Sequence, residues 1–192
     1  MTFQDLHAKC KVNKKERQLL LKQLRDLNLE KITAGIHSSE GKQVIDENGT
    51  RLIDIAVQNE YGNSWVMPKT VRFFKNGKWW TIKKGTRITI PATHFVTRII
   101  QDVKERTYII DSVKAYLHIL IKYGKYGYTI KDFIKDVGTD MKNAIKRNID
   151  DKIFKPNSPL TIAIKGFDKR LFEKGTLYNA IKYRSKKARV QG

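Results

Sequence analysis

The chain has 192 residues, with 39 Lys and Arg against 19 Asp and Glu, a formal charge of +20. Length makes one domain the expectation, and a globule of this size buries about 70% of its unfolded surface, so no metal or disulfide staple is required. With 40% hydrophobic residues, eight Phe, eight Tyr and three Trp, the chain is too apolar for a disordered polycation and is expected to fold with a basic surface.

Residues 14–29 place Leu19, Leu20, Leu24 and Leu27 at helical spacing among Lys and Arg, which predicts an amphipathic helix ending near Asn28. From Lys31 to His37, Ile32, Ala34 and Ile36 alternate as in a half-buried strand. Ser38-Ser39-Glu40-Gly41 and Glu47-Asn48-Gly49 then predict a loop or irregular hairpin. Thr50 is placed to cap a short helix from Arg51 to about Tyr61, with Ile53, Ala56 and Val57 inside and Gly62 as its stop.

Val71-Arg72-Phe73-Phe74-Lys75 and Lys78-Trp79-Trp80-Thr81-Ile82 flank Asn76-Gly77, the dipeptide suited to a two-residue type I′ turn. A β-hairpin is predicted, with Lys75 opposite Lys78, Phe74 opposite Trp79 and Phe73 opposite Trp80, so that each face carries an aromatic pair. A third strand, Arg87–Ile90, ends at Pro91.

A long helix is predicted from about Thr93 to Tyr123, with Ile99, Val103, Ile110, Val113, Leu117 and Leu120 as its apolar stripe and Gly124 and Gly127 as its stop. Thr129 with Asp132 forms a capping-box pattern that opens a second long helix. Its stripe is Ile130, Phe133, Ile134, Val137, Met141, Ala144, Ile145 and Ile149. Pro156 and Pro159 enclose a loop, and Leu160–Ala163 extends or begins a short helix. Ile181, Tyr183 and Ser185 alternate as a last strand, before a basic tail over residues 186–192. No repeat or Pro/Gly/Ser-rich linker divides the chain. It reads as one α+β domain over residues 1–192, an antiparallel sheet packed by two long helices, with a projecting β-hairpin arm inserted over residues 65–90.

The segment Met1–Leu6 has no basic region followed by an apolar run, so no secretory signal is expected and the chain is expected to be made and used in cytoplasm. The longest apolar candidate, around Ile99–Ile121, is interrupted by Lys104, Glu105, Arg106, Asp111 and Lys114, short of the roughly 20 apolar residues of a membrane span. His7, His37, His94 and His118 lack ligand spacing, and Cys10 reads as a bystander in a Lys-rich segment with only His7 nearby. The glycines around Gly124 and Gly127 join two helices, unlike a phosphate-cradling loop between strand and helix. Glu40-Gly41-Lys42 supplies the ExK triplet of a metal-dependent nuclease, but it sits in a Ser/Gly loop, with Asp46 and Glu47 flanking another turn, and reads as solvated. No catalytic residue, metal or cofactor is expected.

Charge is regional. The 41 residues between Glu60 and Asp102 contain no acid, yet carry Lys69, Arg72, Lys75, Lys78, Lys83, Lys84, Arg87 and Arg98. After Glu173 the chain again lacks acids while Lys174, Lys182, Arg184, Lys186, Lys187 and Arg189 follow. Like charges opposite one another on paired strands repel, so Lys75 facing Lys78 favours a nearby polyanion; the alternative is lysines that keep a strand edge soluble. Lys69, Arg72, Lys75, Lys78, Lys83, Lys84 and Arg87 are the DNA-facing candidates, through backbone electrostatics, since no base-reading motif is present. Phe73, Phe74, Trp79 and Trp80 are candidates for subunit contact, because one hairpin lays only one face on its own domain.

Three runs carry a further signal: Ile53-Asp54-Ile55-Ala56-Val57-Gln58-Asn59-Glu60-Tyr61-Gly62, Ile90-Pro91-Ala92-Thr93-His94-Phe95, and Pro156-Asn157-Ser158-Pro159-Leu160-Thr161-Ile162. A fourth is Lys169-Arg170-Leu171-Phe172-Glu173-Lys174-Gly175-Thr176-Leu177, followed by a strand over Ala180–Arg184. In this order the chain resembles tailed-bacteriophage tail-completion proteins, also described as neck, head-tail joining or virion morphogenesis proteins. Thr93 stands where an Arg is common in that pattern, Arg170 where a Pro is, and Lys174 where a Thr is. The resemblance implies a structural virion protein without an active site. It implies assembly as a homo-oligomeric ring with other neck, connector and tail proteins at the head-tail interface, after formation in the host cytoplasm. Nonspecific contact with packaged DNA is expected there, and no membrane. The alternative reading, from charge alone, is a freestanding nonspecific DNA-binding protein.

Overall fold

The computed structural model of the chain describes residues 14–45, 49–75, 77–150, 162 and 175–187. Cys10, His7, Asp46, Glu47, Asn76, most of the Pro156–Ile162 run, the segment 169–174 and the tail beyond Lys187 lie outside the described residues.

Helix α1 spans Lys14–Asn28 and half-buries Leu20, Leu24 and Leu27, while Leu19 stays in solvent. Strand β1, Glu30–Ile36, follows directly. Where a loop or irregular hairpin was expected, a one-turn helix α2 forms over Ser38–Gly41, and Val44 then bridges Arg51 in antiparallel fashion. Helix α3 spans Leu52–Tyr61. Arg51 and not Thr50 holds the N-cap position; its backbone N–H donates to Asp54 Oδ2 at 3.4 Å and its guanidinium grips the same carboxylate at 2.8 and 2.9 Å. The inner face of α3 is accordingly Leu52, Ala56 and Glu60, and Val57, expected inside, is exposed.

Strands β2 (Asn63–Val66), β3 (Val71–Lys75), β4 (Lys78–Ile82) and β5 (Arg87–Ile90) come next. The expected long helix is broken. Helix α4 covers Arg98–Gln101, and α5 runs Val103–Tyr123 after Asp102 adopts an extended backbone (ψ 124°) and caps α5 by accepting from the N–H groups of Lys104 and Glu105. The break changes the phase of the buried stripe. Ile99, Val113, Leu117 and Leu120 face inward as expected, Ile109 and Tyr116 join them, and Val103 and Ile110 are exposed. A 3₁₀ turn over Gly124–Tyr126 and Gly127 at φ 107° end α5. Helix α6, Ile130–Asp150, opens with the expected box: Asp132 accepts from the N–H and hydroxyl of Thr129, and Thr129 Oγ1 accepts from the N–H of Asp132. Helix α7, Thr176–Ala180, leads into strand β6, Ile181–Lys187, so Lys186 and Lys187 belong to a strand and not to a tail.

Among the described residues the strands form three separate antiparallel pairs, β1 with β6, β2 with β5 and β3 with β4, in place of the one sheet expected. One face of β1–β6 carries Ile32, Ala34, Ile36, Tyr183 and Ile181. Ile181 is buried and the other four are half-buried. Tyr183 lies against Gly138 of α6 so closely that a Cβ there would overlap its ring. Two buried clusters result. One gathers Leu52, Ala56, Phe95, Ile99, Ala144, Ile145, Ile149, Leu177, Ala180 and Ile181; the other gathers Leu120, Phe133, Ile134 and Val137 with Leu27, Ile32 and Val113 at its margin. Each fully buried Leu, Ile or Phe contributes about 1.5–3 kcal/mol. Among the described residues no helix is long and apolar enough to cross a membrane.

Candidate DNA-facing and subunit-contact surface

Two of the runs singled out in the sequence meet in space. Thr93 is buried and donates both its N–H and its hydroxyl to the Asn59 carbonyl at 2.8 Å, while the N–H of His94 donates to the Glu60 carbonyl at 3.1 Å. The buried Glu60 carboxylate accepts from the N–H groups of Val96 and Thr97 at 2.9 and 3.0 Å and from the Thr97 hydroxyl at 2.6 Å. Gly62 turns the chain at φ 79° with the backbone of Ile90 and Ala92 pressed against it, leaving no room for a Cβ. The Asn-Glu-Tyr-Gly corner thus holds the Ile-Pro step in place. Phe95 enters the core, and its carbonyl accepts from the buried Asn148 side chain at 3.1 Å.

A two-stranded ribbon leaves this corner. Its lower part is β2–β5, with Asn63 opposite Ile90 and Trp65 opposite Ile88. The ladder continues through the hydrogen bonds Met67 N–H to the Thr86 carbonyl and Gly85 N–H to the Met67 carbonyl, both 2.9 Å. Lys84 N–H donates to Thr70 Oγ1 at 3.0 Å, and β3–β4 completes the ribbon. The hairpin register is the one expected: Lys75 opposite Lys78, Phe74 opposite Trp79, Phe73 opposite Trp80. Gly77 supplies the positive φ of 71° at the tip. The pairing partner of β5 is β2, a strand with no alternating sequence signature.

The two ribbon faces differ. Val71, Phe73, Trp80 and Ile82 are half-buried, whereas Phe74 and Trp79 are 57% and 56% exposed and lie with ring centroids 5.4 Å apart. Arg72 sits over the Trp79 ring at 4.8 Å, and Lys78 over the Trp80 ring at 5.2 Å. Each such contact contributes about 0.5–1 kcal/mol. The Trp80 indole N–H is buried without a hydrogen-bond partner among the described residues.

Lys69, Arg72, Lys75, Lys78, Lys83, Lys84 and Arg87 are all exposed, and none forms an ion pair with a described residue. Arg87 lies on β5 in the lower part of the ribbon, Lys69, Lys83 and Lys84 between its two strand pairs, and Arg72, Lys75 and Lys78 on β3 and β4. Arg98, by contrast, pairs with Asp102 at 3.7 Å.

Glu40, the carboxylate of the nuclease-like triplet, is engaged elsewhere. It pairs with Arg184 at 3.0 Å and Lys182 at 3.4 Å, and accepts the Ser39 hydroxyl at 2.7 Å. The Ser39 hydroxyl first, then Lys182 and Arg184, draw its carboxyl down from 4.5 to about 2. His37 Nε2 meets the Lys182 carbonyl at 3.2 Å, and among the described residues no group of His, Cys, Asp and Glu is clustered to hold a metal ion. An apolar groove of about 230 Å³ lies between β1 and α3, bordered by Ala34, Ile36, Val57, Tyr61 and Val96.

No protein-family model matches the sequence, and neither a curated protein nor a solved structure matches it.

Proposed function

We propose that the chain is a structural virion protein that forms an oligomeric ring in the neck of a tailed bacteriophage and joins the DNA-filled head to the tail. The ribbon from Gly62 to Pro91 serves as an arm reaching from the helical body. The observation that carries the reading is the division of that ribbon: one aromatic pair, Phe73 with Trp80, rests half-buried, while the second, Phe74 with Trp79, is presented to solvent. An exposed aromatic pair with an Arg stacked on it has the composition of an interface anchor.

The uncompensated cations support the site of action. A basic ribbon meets packaged DNA of any sequence through its phosphates, and a ring multiplies a modest patch by its copy number. The order of the four sequence runs, two of which interlock through Asn59, Glu60 and Thr93, supports the same reading. No residue has a catalytic role in it.

The test is electron microscopy of a phage lysate in which the gene carries an early stop, with the protein resupplied as control. Filled heads and finished tails lying unjoined, and joined on resupply, are expected; normal joined particles without the protein would refute the connecting role. The second reading, a freestanding nonspecific DNA-binding protein, is favoured by the seven exposed cations that pair with no described carboxylate. It predicts duplex binding by the isolated chain with a log-log salt slope near −5 for about six neutralised phosphates.

A further inference from the structure

The antiparallel register of β1 and β6 sorts their side chains onto two faces. On the face away from the core, Lys31 stands opposite Lys186, Thr33 opposite Arg184 and Gly35 opposite Lys182. Lys31, Lys182, Arg184 and Lys186 are all exposed, and neither strand places an apolar side chain on that face. Among the described residues, the one carboxylate that ion-pairs on it is Glu40, delivered by the one-turn helix α2 and bonded to both Lys182 and Arg184. Arg184 is held further by the Ser39 hydroxyl. Lys31 and Lys186 have no ion pair with a described residue, although like charges directly opposite one another on paired strands repel.

We propose that this outer face of the β1–β6 pair is a second nucleic-acid backbone surface, separate from the ribbon, and that Glu40 is a built-in competitor that occupies two of its four cations. Strand alternation brings the cations to one surface from segments about 150 residues apart in sequence. A phosphate backbone suits such a face, because it asks for charge and no apolar complement. A protein partner would find no apolar centre to pack against, and a bilayer no aromatic or aliphatic anchor. Phosphates that reach Lys182 and Arg184 displace the Glu40 carboxylate, which limits affinity and keeps the contact reversible.

The experiment is fluorescence anisotropy of a labelled random-sequence duplex titrated with the full chain at salt concentrations between about 50 and 200 mM. Glu40→Gln is expected to bind severalfold tighter than the parent and to steepen the log-log salt slope by up to about 1.8, the equivalent of two freed cations. Lys31→Gln with Lys186→Gln is expected to weaken binding and to flatten the slope by about 1.8. A folded Glu40→Gln variant with unchanged or weaker binding would overturn the proposal. Should that variant fail to fold, the Lys31/Lys186 pair decides alone, and parental affinity and slope in it would overturn the proposal equally. Binding to phosphatidylserine vesicles without binding to the duplex would also overturn it.

Lys75→Gln with Lys78→Gln, measured alongside, separates this surface from the ribbon. Loss of DNA binding confined to the ribbon variant removes the sheet surface and leaves the ribbon reading intact. Loss confined to the sheet variants supports the sheet surface and removes the ribbon from DNA contact.

Discussion

Glu60 is a carboxylate buried between α3 and the turn before α4, with three donors and, among the described residues, no ion-pair partner. A buried charge of this kind is tolerated because the N–H groups of Val96 and Thr97 and the Thr97 hydroxyl replace its water. Glu60→Gln turns one acceptor oxygen into a donor facing donors, and is expected to destabilise the fold by about 2 kcal/mol in urea denaturation; Glu60→Ala, which orphans both backbone N–H groups, by about 3 kcal/mol. An unchanged midpoint in either would refute the clamp. Tyr116 offers a pH-dependent counterpart. Burial first, and then its hydrogen bond to Asp140 at 3.1 Å, push its hydroxyl up from 10.0 to about 12. The folded state therefore favours the neutral phenol: its contribution is fully present below pH 10 and is lost as pH rises through about 12. Tyr116→Phe is expected to flatten the fall in stability across that window, read from denaturation midpoints against pH; an identical fall in both proteins would contradict the assignment.

At the scale of elements, α6 and the β1–β6 pair meet at Gly138, where the Tyr183 ring occupies the space a Cβ would take. Gly138→Ala gains helix propensity but must displace that ring, and the net expectation is a loss of about 1–3 kcal/mol, measurable by thermal or urea unfolding. A stabilised variant would contradict the packing. The elements that could be read from sequence are those whose signals are local. Asn76-Gly77 between two runs of five fixed the ribbon register to the residue, and the Thr129/Asp132 box fixed the start of α6. Elements that depend on distant partners were hidden. Asn63-Ser64-Trp65-Val66 has no alternation and becomes a strand only because β5 pairs with it. Apolar residues continue at helical spacing through Asp102, so the break there was invisible, although an Asp two and three residues before N–H groups it can accept from is a cap signal. The ribbon cations and aromatics were legible as a candidate site because one local segment carries them. Lys31 and Arg184 were not, because their common face depends on a pairing that no local pattern announces.

At the scale of the whole molecule, two surfaces stand out within the charge of +20, the ribbon with seven cations and the outer face of β1–β6 with four, and the ribbon adds an aromatic face open to solvent. If Phe74 and Trp79 anchor a subunit contact, Phe74→Ser with Trp79→Ser leaves the fold intact, since both side chains are exposed, and abolishes ring assembly while the monomer persists in sedimentation. Assembly unaffected by the double change would place the contact elsewhere. The central claim, that the chain is a phage neck protein, is tested most directly by a cryo-electron microscopy reconstruction of the neck of virions from the genome in which its gene lies. The account predicts a closed ring of copies between head and tail, with the Phe74–Trp79 face of each ribbon against its neighbour and ribbon lysines turned toward DNA. A neck built without this chain would contradict it.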